Sequence, residues 1–318
     1  MTTLAIEARD LVRDFGSVRA LDHLSFDVPA GIVFGFLGPN GAGKTTAIRT
    51  FLGLVEPTSG SARVFGFDTK SEGDRVRERA GALLEHHGLY ERLTAEQNLE
   101  FAGRVWHMPA GERRARIREL LDQFGLWDRR EDAVGKWSRG MKQKLAVART
   151  VFHRPPLVFL DEPTAGLDPV ASAALREDLA SLATGQGVTI FLTTHNLVEA
   201  ERLCDLVGVI RRGQLAALGP PSSLQPNDPG LVRVVGTGID ASVASAASTM
   251  PGILHATVED GALEVKLADG VRPAELVAML VARGVGIDEV RRQRQTLEEA
   301  FLELVNDNAG RSGNGGSA

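Results

Sequence analysis

Residues 38–45 have the types and spacing of a site that binds a phosphate chain. The segment reads Gly38-Pro39-Asn40-Gly41-Ala42-Gly43-Lys44-Thr45, with Thr46 after it, between an apolar run and a helix-favouring stretch. The glycines let successive backbone N–H groups turn toward one anion, and the following helix adds its partial positive charge. Lys44 is expected to reach the outer phosphates and the Thr45 hydroxyl to bind Mg²⁺. This full match to the P-loop pattern predicts a nucleotide site.

A metal-bound nucleotide also needs a carboxylate at the end of a neighbouring strand, and the segment LVFLDE supplies two. Asp161 follows four apolar residues and can hold Mg²⁺ through a water, while Glu162 lies further out and can polarise an attacking water. His195 ends another apolar run, VTIFLTTH. A lone histidine is usually structural, but the end of a third strand would bring this one to the same site.

A second candidate anion site lies at 137–141, where WSRGM opens a basic stretch with helical apolar spacing. Serine is a preferred residue at a helix amino terminus, where unpaired backbone N–H groups attract anions. Ser138 and Gly140 therefore predict a second phosphate cradle in the same chain.

Alternating strands and helices must position these groups. GIVFGFL, LVFLDE and VTIFLTTH are typical of buried strands, and ASAALREDLASLA predicts a helix between the last two. This order indicates a parallel sheet covered by helices, an α/β fold. From about 94 to 154 the sequence is charged and helix-favouring. Thr94 and Gln97 form a capping-box pattern there, and ERRARIRELLDQF has apolar residues at helical spacing.

Proline, glycine and asparagine cluster in residues 220–230, which predicts a linker after a first domain of residues 1–219. Residues 231–306 predict a small α+β domain with the order strand-helix-strand-strand-helix-strand and one added helix, similar to a ferredoxin-like unit. Asp260-Gly261 predicts a tight hairpin in it, and Thr296 with Glu299 a capping box for the added helix. The Gly/Ser/Asn-rich residues 307–318 are expected to be disordered.

Composition excludes several classes of protein. A net charge of −5 and a pI near 5.9 give no basic footprint for nucleic acid, so no nucleic-acid partner is expected. The single cysteine, Cys204, rules out an intramolecular disulfide. We expect no signal peptide, because the first residues lack a basic and then apolar pattern. No apolar run approaches the roughly 18 residues of a membrane span, so we expect a soluble chain whose membrane role requires a partner.

These motifs in this order resemble the ATPase subunit of ATP-binding-cassette (ABC) transporters. The resemblance covers residues 4–218 and rests on the P-loop, the SRGM segment, LDEPTAGLDP and TTH. It implies a P-loop NTPase cassette, with a parallel core sheet, an antiparallel β part and a helical subdomain at about 94–154. It also implies ATP and Mg²⁺ as cofactors, and ATP hydrolysis as the activity.

The resemblance assigns roles to individual residues. It implies that Glu162 is the catalytic base, that His195 contacts the terminal phosphate, and that Phe15 stacks on adenine unless it is a core residue. Asp168 matches a loop that crosses between two subunits. Ser138, Arg139, Gly140 and Met141 match the signature segment, which in the family lies across from the P-loop of a second copy, so each ATP is shared between two chains.

Two positions depart from the family pattern. The signature reads WSRGM rather than LSGGQ, and Arg139 either faces solvent or adds positive charge near the partner's phosphate. Glu85 stands where the family usually has a glutamine that senses the metal and touches the membrane subunit. A carboxylate there can still ligate Mg²⁺, with an added negative charge.

The carboxy-terminal unit, which ends in TLEEAFLEL, resembles the extension of drug-exporter ATPases of the daunorubicin-resistance type. We therefore expect an ATPase that drives a separate multi-span permease in export of a drug, antibiotic or lipid-like compound. The chain would then lie in the cytoplasm on the inner face of the cell membrane. The alternatives are an importer ATPase and a soluble ABC protein without a transport role.

Overall fold

A computed structural model describes residues 3–224, 230–268 and 270–292 of the 318-residue chain. These residues fall into two compact units, the first extending through Ser222 and the second beginning at Ser223. Among them, no helix combines the length and the apolar character that crossing a bilayer requires. The domain limits stated from the sequence stay a prediction.

A six-stranded sheet forms the centre of the first unit, in the order β10-β9-β3-β8-β7-β6. The strands are β3 (Val33–Leu37), β6 (Ala80–Leu83), β7 (Leu157–Asp161), β8 (Thr189–Thr194), β9 (Leu206–Arg211) and β10 (Gln214–Gly219). All neighbours pair in parallel except β9 and β10. Every residue of β3, β7 and β8 is buried, as expected for parallel strands covered on both faces. The predicted parallel sheet is confirmed.

A second, antiparallel sheet packs near the first, in the order β2-β1-β4-β5. It contains β1 (Leu4–Phe15), β2 (Val18–Pro29), β4 (Ser59–Val64) and β5 (Phe67–Asp68). The ring of Phe26 on β2 stacks on Phe34 of the central sheet at 5.5 Å between centroids, and Phe34 stacks on Phe191 at 5.1 Å. These buried aromatic rings join the two sheets into one core.

Helices cover the central sheet and form a separate helical segment. They are α1 (Lys44–Phe51), α2 (Gly73–Glu78), α3 (Ala95–Val105), α4 (Ala110–Gln123), α5 (Arg139–Thr150), α6 (Pro169–Gln186), α7 (Leu197–Leu203) and α8 (Pro221–Leu224). The predicted capping box at the start of α3 is confirmed, since Thr94 Oγ1 accepts from the Gln97 N–H and Gln97 Oε1 from the Thr94 N–H. Arg116 of α4 is buried and donates to the carbonyls of Val151 and Phe152, which fixes α4 against the end of α5.

The second unit has its own sheet and its own core. Its elements are β11 (Leu231–Thr237), α9 (Ala241–Ser248), β12 (Ile253–Glu259), β13 (Ala262–Leu267), α10 (Pro273–Ala282) and β14 (Gly286–Arg292). The sheet is antiparallel in the order β12-β13-β11-β14. Asp260 and Gly261 have φ of 50° and 74°, so the predicted hairpin is confirmed. The predicted added helix with Thr296 and Glu299, residues 225–229 of the linker, and the tail at 307–318 lie outside the described residues.

Candidate active site

The loop from β3 to α1 has the backbone of a phosphate cradle. Gly41 and Gly43 have φ of 78° and 108°, which side-chain-bearing residues rarely adopt. A Cβ on Gly38 would lie 2.4 Å from the carbonyl oxygen of Ile210, and one on Gly43 would lie 2.4 Å from that of Ala20. No side chain caps α1 and its first turn has no acidic residue. The backbone N–H groups at this helix end are therefore available to an anion.

Lys44 reaches across the loop from the first position of α1. The residue is 6 % exposed, and its ammonium donates to the carbonyls of Gly38 at 2.7 Å and Pro39 at 3.3 Å. It also lies 3.3 Å from Glu162 Oε1. The positive charge is thus held above the loop by groups that an anionic ligand can replace.

Thr45 and Asp161 provide two oxygen ligands side by side. The Thr45 hydroxyl donates to Asp161 Oδ2 at 2.7 Å, and Thr193 Oγ1 donates to the other carboxylate oxygen. Asp161 is 8 % exposed at the end of β7. Mg²⁺ prefers oxygen ligands and is commonly held by one or two protein groups together with water and phosphate oxygens. These donors fit that ion.

Glu162 is held in an uncommon backbone conformation beside the metal ligands. Its φ is 49°, in the left-handed region that costs a non-glycine residue of the order of 1 kcal/mol. The Glu162 N–H donates to both the carbonyl and the hydroxyl of Thr193, at 3.1 and 3.0 Å, which fixes the turn. Its Oε2 lies 3.1 Å from Nδ1 of the exposed His195. The structure therefore brings Lys44, Glu162 and His195 together, as the sequence predicted.

Thr193 is a site residue that sequence analysis missed. Its hydroxyl donates to the Asp161 carboxylate and accepts from the backbone N–H of Glu162, so it holds the end of β7 and the residue that follows it. The sequence offers little to single out Thr193, because threonine is common in strands. Only the pairing of β7 with β8 places it beside Asp161.

The signature segment begins α5 as predicted. Ser138 is the residue before the helix, and its Oγ accepts a hydrogen bond from the Met141 N–H at 3.3 Å. The first turn has no acidic residue, and a Cβ on Gly140 would lie 3.0 Å from Cβ of Ala171. Ser138 thus caps its own helix in this chain, and the helix end keeps its partial positive charge.

Arg139 packs against its own chain. A Cβ on Gly166 would lie only 2.4 Å from Arg139 Nη1 and 2.5 Å from Cζ, so the guanidinium covers that glycine. One turn along α5, Gln143 Nε2 donates to the Pro163 carbonyl at 2.6 Å. The signature helix is therefore attached to the loop that follows Glu162.

Of three other predicted residues, Glu85 lines the cleft at this site, whereas Phe15 and Asp168 do not. Glu85 is mostly exposed, with Oε2 3.9 Å from Arg49 Nη2. Phe15 is 45 % exposed and therefore not a core residue, and the Arg13 guanidinium lies 4.3 Å from its ring centroid. Asp168 caps α6 by accepting from the Ala171 N–H at 2.8 Å.

A cleft of about 510 Å³ connects most of these groups. Its walls come from the P-loop, the ends of β7 and β6, and the start of α5. The residues that sequence analysis singled out and that line the cleft are Asn40, Gly41, Ala42, Gly43, Lys44, Thr45, Thr46, Glu85, Arg139, Asp161 and Glu162. The space is of the size that binds a small molecule such as a nucleotide.

Comparison with known proteins agrees with this geometry. Residues 21–165 match the family described as ABC transporter. The chain is 34% identical to the bacitracin transport ATP-binding protein BcrA of Bacillus licheniformis, over 96% of this chain and 98% of that protein. It is 36% identical to the daunorubicin/doxorubicin resistance ATP-binding protein DrrA of Streptomyces peucetius, over 95% of this chain and 93% of that protein.

A solved structure described as the ATP binding subunit of an ABC transporter is similar as well, with a TM-score of 0.62 and 33% identity. The match covers 69% of this chain and 91% of that one. The matched part of this chain is about as long as the first compact unit. The two relatives named above match nearly the full length of the chain. The chain therefore belongs to the family of ABC transporter ATPases.

Proposed function

We propose that this chain is the ATP-hydrolysing subunit of an exporter, which closes around ATP with a second copy and drives a separate membrane permease. The single observation that carries the ATPase role is the meeting of Lys44, Asp161, Glu162 and His195 at one phosphate cradle. What supports export of an antibiotic-like small molecule is the near full-length similarity to proteins named for bacitracin transport and daunorubicin resistance.

Hydrolysis follows from the contacts of Glu162. Lys44 exchanges the Glu162 carboxylate for the γ-phosphate of ATP, because phosphate oxygens carry more negative charge. The freed Glu162 accepts a proton from water while the water oxygen bonds the γ-phosphorus. The bond from that phosphorus to the ADP oxygen breaks at the same time. His195, beside Glu162 Oε2, orients the carboxylate and can approach the same phosphate. Mg²⁺, held by Thr45 and Asp161, would neutralise charge on the phosphates.

The second copy completes each site in this proposal. The start of α5 offers backbone N–H groups and Ser138 to a γ-phosphate bound by the partner's P-loop. Within each chain, α5 is attached to the loop after Glu162 through Gln143 and Arg139. When α5 closes on the ATP bound by the partner, the movement is therefore passed to Glu162, which acts on the ATP bound by its own chain.

Contact with the permease is supported by a groove beside the helical segment. The groove encloses about 280 Å³, and its wall includes the exposed side chains of Tyr90, Phe101, Val105 and Trp106. Exposed apolar clusters of this kind mark interaction surfaces. Residues 84–88 contribute to both cavities, with Glu85 in the nucleotide cleft and Gly88 in the groove. A permease segment in the groove would therefore respond to the nucleotide, and the chain would lie at the inner face of the membrane.

Export is tested by expressing the chain with the membrane gene encoded beside it and measuring resistance to a panel of toxic compounds. We expect resistance with the wild-type chain and none with Glu162→Gln. Glu78→Gln on the exposed side of α2 is the matched control and should keep resistance. Net uptake of a compound, or a requirement for an external binding protein, would contradict export and favour an importer.

A further inference from the structure

Glu199 is a buried carboxylate that the hydrolysis steps above do not use. It lies in α7, a short helix that begins directly after His195 and Asn196, and it is 1 % exposed. Its Oε2 accepts two hydrogen bonds, from Thr194 Oγ1 at 2.7 Å and from Thr164 Oγ1 at 3.0 Å. Its Oε1 has no hydrogen-bond partner among the described residues. One oxygen of this carboxylate thus accepts two hydrogen bonds, and the other is buried with no hydrogen-bond partner in the part of the chain that the structure describes.

The two hydroxyls belong to the two segments that carry the catalytic groups. Thr164 is two residues after Glu162, in the loop that leaves β7, and Thr194 is the last residue of β8, next to His195. Asn196 adds two hydrogen bonds between Glu199 and the end of β8. Its Oδ1 accepts from the Glu199 N–H, and its N–H donates to Thr194 Oγ1. Glu199 Oε2 is therefore a junction between the Glu162 loop and the His195 segment.

Burial of this group is costly, which argues against an accidental position. Burial raises the pKa of Glu199 above its usual range, and the hydrogen bonds from Thr194 and Thr164 only partly oppose that rise. The charges of Arg176 and His195 oppose the rise as well, yet a carboxylate removed from water is still among the more expensive groups a protein can bury. An apolar side chain of similar length would fill the same space without that cost, but it would bond neither threonine.

We propose that Glu199 is a positioning residue for ATP hydrolysis, in which Oε2 holds the Glu162 loop and the His195 segment at a fixed separation. The inference rests on the proposed function, because it concerns the same pair of groups. Glu162 Oε2 and His195 Nδ1 lie 3.1 Å apart. The hydrogen bonds to Thr193 fix the backbone of Glu162, whereas His195 is exposed, so the position of the His195 segment depends on contacts made elsewhere along it. A link that ties the two segments behind the site sets how often the pair is aligned for the attacking water.

The test compares Glu199→Met, which has no acceptor, with Glu199→Gln, whose amide oxygen can still accept from both threonines. The full-length chain is purified, and its ATP turnover is measured alongside the affinity for a fluorescent ATP analogue and the melting temperature. We expect Glu199→Met to lower kcat at least tenfold, with KM and analogue affinity within threefold of wild type and no loss of melting temperature. Glu199→Gln should retain kcat within threefold.

Thr164→Val gives a second measurement that does not depend on Glu199 variants folding. Thr164→Val should lower kcat with KM unchanged. The double variant Thr164→Val/Glu199→Met should have a kcat little lower than either single variant, because both changes break the same Thr164–Glu199 link. Thr69→Val, at a buried threonine outside these segments, is the matched control and should leave kcat unchanged. Full kcat in either Glu199→Met or Thr164→Val would overturn the proposal, as would equal loss in Glu199→Met and Glu199→Gln.

Failure of the proposed function has a different signature. Lys44→Ala and Glu162→Gln are measured in the same assay, and turnover retained in both would overturn the active site itself. If these two variants are inactive while the Glu199 and Thr164 variants turn over normally, only the positioning role is wrong.

Discussion

Replacing Lys44 by alanine should weaken ATP binding strongly and abolish hydrolysis. Lys44 is buried and its ammonium donates to two P-loop carbonyls, so it is directed over the phosphate cradle before any ATP binds. The change also leaves Glu162 Oε1 without the cation that lies 3.3 Å away. That carboxylate then faces an incoming triphosphate of the same charge.

The expected magnitude follows from the kind of contact that is lost. A hydrogen bond to a charged group is worth about 1.5–3 kcal/mol, and 1.4 kcal/mol corresponds to a factor of ten in affinity, so the Kd for ATP should rise about 10- to 150-fold. At an ATP concentration about 1,000 times the wild-type Kd, ligand stabilisation should fall from about 4 kcal/mol to about 1.4 kcal/mol for a 100-fold weaker variant.

The assay is the shift in melting temperature with ATP concentration, together with titration of a fluorescent ATP analogue. Lys70→Ala is the matched control, since Lys70 is an exposed lysine that pairs with the exposed carboxylate of Glu56. Exposed ion pairs contribute at most about 1 kcal/mol, so this control should bind ATP normally. An ATP affinity of Lys44→Ala within threefold of wild type, with turnover retained, would refute the assignment of the site.

Three further predictions address the shared site, the two units and pH. With Glu162→Gln in both chains to prevent hydrolysis, a mixture of Ser138→Arg and Lys44→Ala chains should form an ATP-dependent dimer by light scattering that neither forms alone. If mixing rescues nothing while each pairs normally with a chain unmutated at both positions, the trans role of Ser138 is wrong. A chain without residues 231–306 should unfold cooperatively and bind ATP, because the two units have separate cores; an insoluble product would contradict the two-domain prediction. Burial lowers the pKa of His153 to about 4, so the unfolded state takes up a proton at higher pH than the folded state, and stability falls as pH drops from about 6.5 to about 4. Across that pH range the free energy of unfolding, measured by urea titration, should fall by about 2 kcal/mol less in His153→Phe than in wild type. If it falls equally in both proteins, His153 does not contribute to the pH dependence of stability.

Local chemistry was predictable from the sequence because it depends on residues close together in the chain. The P-loop glycines, the Thr94 capping box, the Ser138 helix start and the Asp260-Gly261 hairpin each follow from side-chain types at fixed short spacing. The succession of buried strands and helices likewise gave the α/β class. The short strands β6, β9 and β10 were not assigned, since brief apolar runs do not distinguish strand from helix.

Strand order could not be predicted, and it decides the contacts between distant segments. In the sheet, β8 lies between β3 and β7, which places Thr193 against Asp161 and Glu162, and His195 beside Glu162. The sequence leaves open whether Arg139 faces solvent or adds charge near a phosphate; in the structure it is exposed, lines the cleft and lies against Gly166.

Glu199 shows the limit of sequence most clearly, because a glutamate in a helix is ordinarily a solvated surface residue. The motifs alone predict which groups meet the phosphates, since each motif is a short run of neighbouring residues. Which groups hold those residues in place follows from the fold, because it depends on how β7, β8 and α7 pack after the chain has folded back on itself.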